Sequence, residues 1–197
     1  MARPSVEEER KAQILASACR VIAERGITEM RVADVARDAG LSAGIIHYYF
    51  DNKRELIKAA FAANFSDSLK RRSGVLEGAG TAREKLRSLI DSYLPEGDAT
   101  VRAWHVWVEL WADALQDTDL QKLNELAYGE WRRIVGDIVA EGQRAGDFTD
   151  GDPLVLADVV VATLDGISIQ GLLGSSGMSM DHMRLVCSEL VDRLLVR

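Results

Sequence analysis

Apolar residues along this chain recur at three- and four-residue spacing over long stretches, the rhythm of helices with one buried face. Ile14, Leu15, Ala18, Val21 and Ile22 share one side of a first helix, and Gly26 is the expected stop. No five-residue run of alternating β-branched or aromatic residues bounded by hairpin turn pairs occurs, so the pattern predicts an all-α chain. The expected helices cover 5–25, 32–38, 43–49, 53–72, 81–94, 100–116, 118–145, 153–173 and 179–196. The three prolines, Pro4, Pro95 and Pro153, fall where a helical pattern begins or breaks, and Asp152 before Pro153 suits an N-cap. The stretch 73–80, with Gly74, Gly78 and Gly80, is the strongest break in the pattern.

Composition narrows the class without naming a role. At 197 residues, 47% hydrophobic and 28% charged, the chain has the make-up of an ordinary globular protein. The apolar stretch 154–164 is broken by Asp158 and followed by Asp165, short of the roughly 18 unbroken apolar residues of a membrane span. No export signal is evident, so the expected address is the cytoplasm, with no membrane partner. Cys19 and Cys187 lie far apart in apolar helical patterns, which argues against a disulfide framework or a zinc site. The net charge of -7 hides an asymmetry: residues 1–72 hold 13 Lys and Arg against 10 Asp and Glu, while residues 73–197 hold 11 against 21. The first third can approach phosphate, and the rest is repelled by it.

The stretch 26–56 carries the clearest chemistry. Val32, Val35 and Ala36 form the packing stripe of one short helix, and Leu41, Ile45 and Ile46 that of the next, with Ala39-Gly40 in the turn between them. Ser42 takes the N-cap of the second helix, its hydroxyl free to accept from the otherwise unpaired amides. The opposite face shows Ser42, Ala43, Gly44, His47 and Tyr48. Small residues at the start let the backbone come close to another surface, and polar and aromatic tips follow one turn later. That order suits a recognition helix entering a major groove.

Gly26, Val35-Ala36, Ala39-Gly40-Leu41-Ser42, Gly44, Ile46, Tyr49-Phe50, Lys53 and Leu56 together resemble the DNA-binding domain of TetR-family transcriptional regulators. The resemblance implies a homodimer that binds a palindromic double-stranded operator and is released by a small-molecule effector. It divides the chain into a helix-turn-helix DNA-binding domain over 1–52 and an effector-binding and dimerisation domain over 53–197. The implied DNA-binding residues are Arg31, Ser42, Ala43, Gly44, His47, Tyr48, Tyr49 and Lys53, with Arg3 and Arg10 as candidates on the N-terminal arm. Two positions depart from the common pattern: Arg31 stands where Thr is frequent, and His47 where Tyr is frequent, so the operator sequence is this chain's own. The stretches 44–50, 162–167 and 171–173 resemble, more loosely, the choline-responsive BetI subgroup, which suggests kinship rather than a shared effector.

Trp104, Trp107 and Trp111 fall at offsets of three and seven, which places the indoles on one helix face with His105 and Glu109 to one side and Asp113 near the end. Such a stripe fits core packing and also fits the wall of a ligand cavity; the sequence leaves both open. In TetR relatives this helix lines the effector cavity, and the resemblance adds Tyr93, Tyr128, Trp131 and Asp165 as partners. Aromatic faces with carboxylates favour a cation by about 0.5 to 2 kcal/mol per contact, although a hydrophobic effector fits nearly as well.

Leu154, Ala157, Val161, Leu164, Ser168 and Gly171 on one helix, with Leu185, Leu190 and Leu194 on the next, offer the face expected at a four-helix dimer interface. An ordinary intrachain core is the other reading of that face. Three scattered histidines, His47, His105 and His182, and the absence of nucleophile or phosphate-loop motifs argue against an enzyme, a cofactor or a metal. The alternative from another class is a helical small-molecule binding protein with only non-specific DNA binding.

Overall fold

The computed structural model describes residues 5–76 and 78–195, except for the side chain of Leu194. Among these residues every regular element is helical: α1 (Val6–Glu29), α2 (Val32–Asp38), α3 (Ala43–Tyr49), α4 (Lys53–Leu76), α5 (Ala82–Tyr93), α6 (Gly97–Ala114), α7 (Thr118–Ala145), α8 (Pro153–Leu172) and α9 (Met180–Leu190), followed by a wider π turn at Val191–Leu195. The helices group into two compact units. One comprises Met1–Leu69 with Arg102–Glu125, the other Lys70–Val101 with Leu126–Arg197, so α4, α6 and α7 each contribute to both.

Local chemistry sets most boundaries. Ser5 and Glu8 close a reciprocal capping box on α1, with the Glu8 amide donating to the Ser5 hydroxyl at 3.1 Å and the Ser5 amide to the Glu8 carboxylate at 2.7 Å. Thr81 and Glu84 repeat the device on α5. Gly26 does interrupt α1, with φ 76, but a further turn runs on to Glu29. Gly40, at φ 66, takes the left-handed conformation expected after α2. α4 continues a turn past its expected end, because the Ser73 hydroxyl donates back to the Lys70 carbonyl at 3.0 Å and one glycine costs a helix only about 1 kcal/mol.

The first unit is built around Ile14, Ala18 and Ile22 of α1, Val35 of α2, Ile46 of α3, Leu56 and Phe61 of α4, and Val106 and Leu110 of α6, all buried. Arg20 of α1 makes two hydrogen bonds to the Asp38 carboxylate at 3.0 and 2.6 Å, and Gln13 donates to the Ala39 carbonyl at 2.7 Å, which fixes α2 across α1. In the second unit Leu86, Leu89 and Ile90 of α5, Val135 and Val139 of α7, and Ala157, Val160 and Val161 of α8 form the core.

By length and composition α8 is long and apolar enough to cross a membrane, with a mean hydropathy of 1.6. The sequence expectation counted only unbroken apolar residues and therefore passed over it. Its two carboxylates are nevertheless engaged as in a packed bundle: Asp158 pairs with Arg132 of α7, and Asp165 accepts from Tyr93 of α5.

Candidate functional sites

On the helix-turn-helix, Ser42, Ala43, Gly44, His47 and Tyr48 all stand exposed along one face of α3, while Ile46 on the opposite side is buried. Tyr48 is 79% exposed and meets Tyr49 edge to face, with ring centroids 5.1 Å apart; Tyr49 itself is half-buried. Lys53, on the first turn of α4, donates to the Thr28 carbonyl at 3.2 Å, and Arg31 is exposed just before α2. Two expectations are corrected. Ser42 occupies the N-cap, but its side chain makes no capping bond. Ile45 is 38% exposed and lies outside the packing stripe, because its neighbour Ile46 is the α3 residue buried in the core, with Leu41 partly buried against the same cluster. Arg10 donates to Gln13 at 3.0 Å, and Arg3 lies outside the described residues.

The eight expected effector residues divide between the two units. In the first, the α6 indoles stack on one another: Trp104 and Trp111 lie 6.0 Å apart edge to face, and Trp107 lies 6.4 Å from Trp111. Phe65 meets Trp107 edge-on at 6.1 Å, and Trp111 donates its indole hydrogen to Asn124 at 2.9 Å. Trp104 is buried, and His105 points away into solvent. Glu109 accepts from the Ile27 amide at 2.9 Å and underlies Gly26, where an added Cβ would meet its carboxylate at 2.9 Å. That carboxylate holds the turn leading into α2.

The second unit assembles Tyr93, Tyr128, Trp131 and Asp165. Tyr93 and Trp131 stand perpendicular, centroids 5.3 Å apart, and form a corner of two ring faces. The guanidinium of Arg72 lies in that corner, 5.4 Å from the Tyr93 centroid and 5.5 Å from that of Trp131, and donates to the Ser92 carbonyl at 2.8 Å. Asp165 accepts from the Tyr93 hydroxyl at 3.0 Å. Burial pushes its carboxyl up to about 6, against which the Tyr93 hydrogen bond pulls down only in part. Burial and the Asp165 charge raise both tyrosines. The adjoining cavity, bounded by Tyr93, Trp131, Val160 and Leu164, is apolar and has about 10 Å³ of free volume, one water's worth.

The apolar face expected between subunits is also redistributed. Ala157, Val161, Leu164 and Ser168 are buried within the second unit, and Gly171 packs against Met183. The apolar side chains left exposed on α8 and α9 are Leu154, Val155, Val159 and Leu185, with Leu190 half-covered; the side chain of Leu194 lies outside the described residues.

Residues 14–60 match the tetR family of bacterial regulatory proteins, and residues 82–196 match the C-terminal domain of BetI-type transcriptional repressors. The chain belongs to the TetR family. Among related sequences, the BetI 2 regulator of Chromohalobacter salexigens is 28% identical over 198 residues, covering 99% of this chain and 93% of that protein. BetI of Escherichia coli K12 is 25% identical, covering 93% and 92%. Among solved structures, a transcriptional regulator from Saccharomonospora viridis in complex with choline superposes with a TM-score of 0.89 at 32% identity, over 96% of this chain and 98% of that one. A TetR-family regulator from Rhodococcus sp. gives 0.85 at 27%, over 94% and 98%.

In this TetR-family chain sequence reasoning missed two residues. Arg72 ends the run Lys70-Arg71-Arg72 and reads as one more solvated cation, yet it is 3% exposed while its two neighbours are open to solvent. Glu109 reads as a wall of the tryptophan site and instead caps a backbone amide. Only the helical offset of Arg72 from the buried Ser68, four residues earlier, hints at an inward position.

Proposed function

We propose that this TetR-family chain is a cytoplasmic, dimeric repressor that a small organic cation releases from a palindromic operator. The observation that carries the effector class is the corner of Tyr93 and Trp131, which already holds a guanidinium, with the half-buried carboxylate of Asp165 on the Tyr93 hydroxyl. Ring faces attract positive charge, and a buried carboxylate with a raised pKa gains most from a cation brought next to it. A hydrophobic ligand would gain from the rings and nothing from Asp165. Similarity to the regulator solved with choline favours the same class.

On the DNA side, Ser42, Ala43 and Gly44 bring the N-terminal end of α3 to base edges, His47 and Tyr48 follow a turn later, and Arg31, Tyr49 and Lys53 reach phosphate. Two such units, related by a dimer axis through the exposed apolar faces of α8 and α9, would sit in successive major grooves about 34 to 36 Å apart. The test is selection of bound fragments from a genomic pool at about 150 mM salt. The recovered site is then titrated with choline and with its uncharged tert-butyl isostere. A palindrome released by the cation and not by the isostere is the expected result. Recovery of no motif, with affinities of about 10⁻⁴ to 10⁻⁶ M, would replace the regulator with a ligand-binding module. Release by both compounds would replace the cation with a hydrophobic effector.

A further inference from the structure

We propose that Asp34 is a positioning residue for DNA backbone binding: its carboxylate holds the guanidinium of Arg25 beside Arg31, and the two arginines take one phosphate between them in the notch at the turn from α1 into α2. This rests on the reading that the helix-turn-helix binds an operator, and it adds Arg25 and Asp34 to that surface.

Arg25, Glu29, Arg31 and Asp34 line an open notch of about 480 Å³. The backbone that carries it is fixed: Glu109 accepts from the Ile27 amide at 2.9 Å, and the Met30 amide donates to the Gly26 carbonyl at 3.2 Å. Lys53 donates to the Thr28 carbonyl at 3.2 Å, so the notch adjoins the lysine proposed for phosphate contact.

The charges around the notch are layered. The Asp34 side chain is 11% exposed, those of Arg25 and Arg37 are 51% and 72% exposed, and both guanidiniums converge on the same Asp34 oxygen, at 3.5 and 3.0 Å. The carboxylate is therefore the covered partner and the guanidiniums the open ones. Two cations on one anion leave a surplus positive charge, and Arg25 meets Asp34 through one of its nitrogens, which keeps other N–H groups for an outside acceptor. Arg31 is exposed and pairs with no carboxylate among the described residues. The planar donor fork of arginine matches phosphate oxygens, and a guanidinium already held on a carboxylate has given up part of its rotamer freedom before DNA arrives. Contacts of this kind are made to the backbone and carry no base preference.

The experiment measures full-length wild type, R25A, D34N and E29Q on the selected operator and on a random-sequence duplex, with salt varied from about 0.05 to 0.2 M. D34N and E29Q each remove one negative charge from the same notch, so charge alone would tighten both. Positioning by Asp34 sets them apart. E29Q should bind as tightly as wild type or tighter, whereas D34N should bind both duplexes about threefold or more weaker, with a salt slope shallower by about one. R25A should lose about fivefold at 0.15 M with the same change of slope, as one phosphate's released counterion implies, and adding R25A to D34N should do little more. Thermal unfolding of each variant without DNA reports on folding. D34N binding as tightly as wild type or tighter overturns the positioning role. An unchanged salt slope in R25A overturns the notch as a phosphate site. Losses that add in full in the double variant make Asp34 a support of α2 alone and overturn it too. Wild type with no operator and no salt-dependent DNA binding removes the DNA-binding reading itself, and this proposal with it.

Discussion

Replacing Asp165 by Asn tests the electrostatics of the second unit most directly. The carboxyl titrates near 6 instead of 3.8 because burial disfavours its charge. A raised pKa means that the folded state holds this proton more tightly than the unfolded state does. The stability it contributes is therefore complete below about pH 3.8 and is lost as pH rises through about 6. Over that interval, at about 1.4 kcal/mol per pH unit, the loss amounts to about 3 kcal/mol. Solvent reaching the partly covered side chain lowers this, so about 1 to 3 kcal/mol is the working range.

Asparagine keeps an oxygen for the Tyr93 hydroxyl and carries no charge. D165N should thus be more stable than wild type by about 1 to 3 kcal/mol at pH 7.5 and nearly equal to it at pH 4. Urea unfolding of both proteins at pH 4, 6 and 7.5 measures the difference. Asp38 and Asp192 have lowered pKa values, through their bonds to Arg20 and Arg83, and lose stability in acid; they titrate alike in both proteins and cancel. A difference independent of pH, or a mutant weaker at pH 7.5, would refute the reasoning. The gain in stability should come with weaker cation binding, as expected when a strained group belongs to a binding site.

Other substitutions separate the remaining roles. K53A should weaken binding to all DNA sequences and make the salt dependence shallower by about one, read from the slope of affinity against salt; an unchanged slope removes Lys53 from the phosphate contacts. H47A should change the selected operator sequence at one position per half-site while thermal unfolding stays constant, and an unaltered selection profile would count against a base contact. E109A leaves the Ile27 amide without its carboxylate and should cost the first unit about 1 to 2 kcal/mol, measured by urea unfolding, with operator affinity reduced as the turn into α2 loosens. L185E puts a charge into the exposed apolar face of α9, and sedimentation at one concentration should show dimers for wild type and monomers for the variant.

The helix-turn-helix was legible because its information is local. Gly40 at positive φ, the small residues opening α3 and the buried offsets of Val35, Ala36 and Ile46 are properties of a 30-residue window. Which side of α8 faces inward was not legible, for a reason visible in the helix itself, which is apolar nearly all round: periodicity finds Ala157, Val161 and Leu164 and equally finds Leu154, Val155 and Val159, but only tertiary packing decides which side is interior. The residues proposed for the effector were legible as types and not as a group, since Tyr93, Trp131 and Asp165 sit on three helices far apart in the chain. Arg72 was invisible because a basic run at a helix end is ordinarily solvated.

These magnitudes also say where effector selectivity must come from. A hundredfold weakening of operator binding requires about 2.7 kcal/mol of preference for the DNA-incompetent state. The Tyr93 and Trp131 ring faces, at about 0.5 to 2 kcal/mol per contact, attract any cation and do not by themselves choose between the two states. The surplus then lies with Asp165, which among the described residues is in no ion pair and whose ionisation a cation in the site would favour. Effector binding should accordingly release a proton below about pH 6 and tighten as pH rises through that value. The same titration in D165N should be flat. A pH-independent affinity in the wild type would return the surplus to the apolar cavity and make shape, rather than charge, the selector.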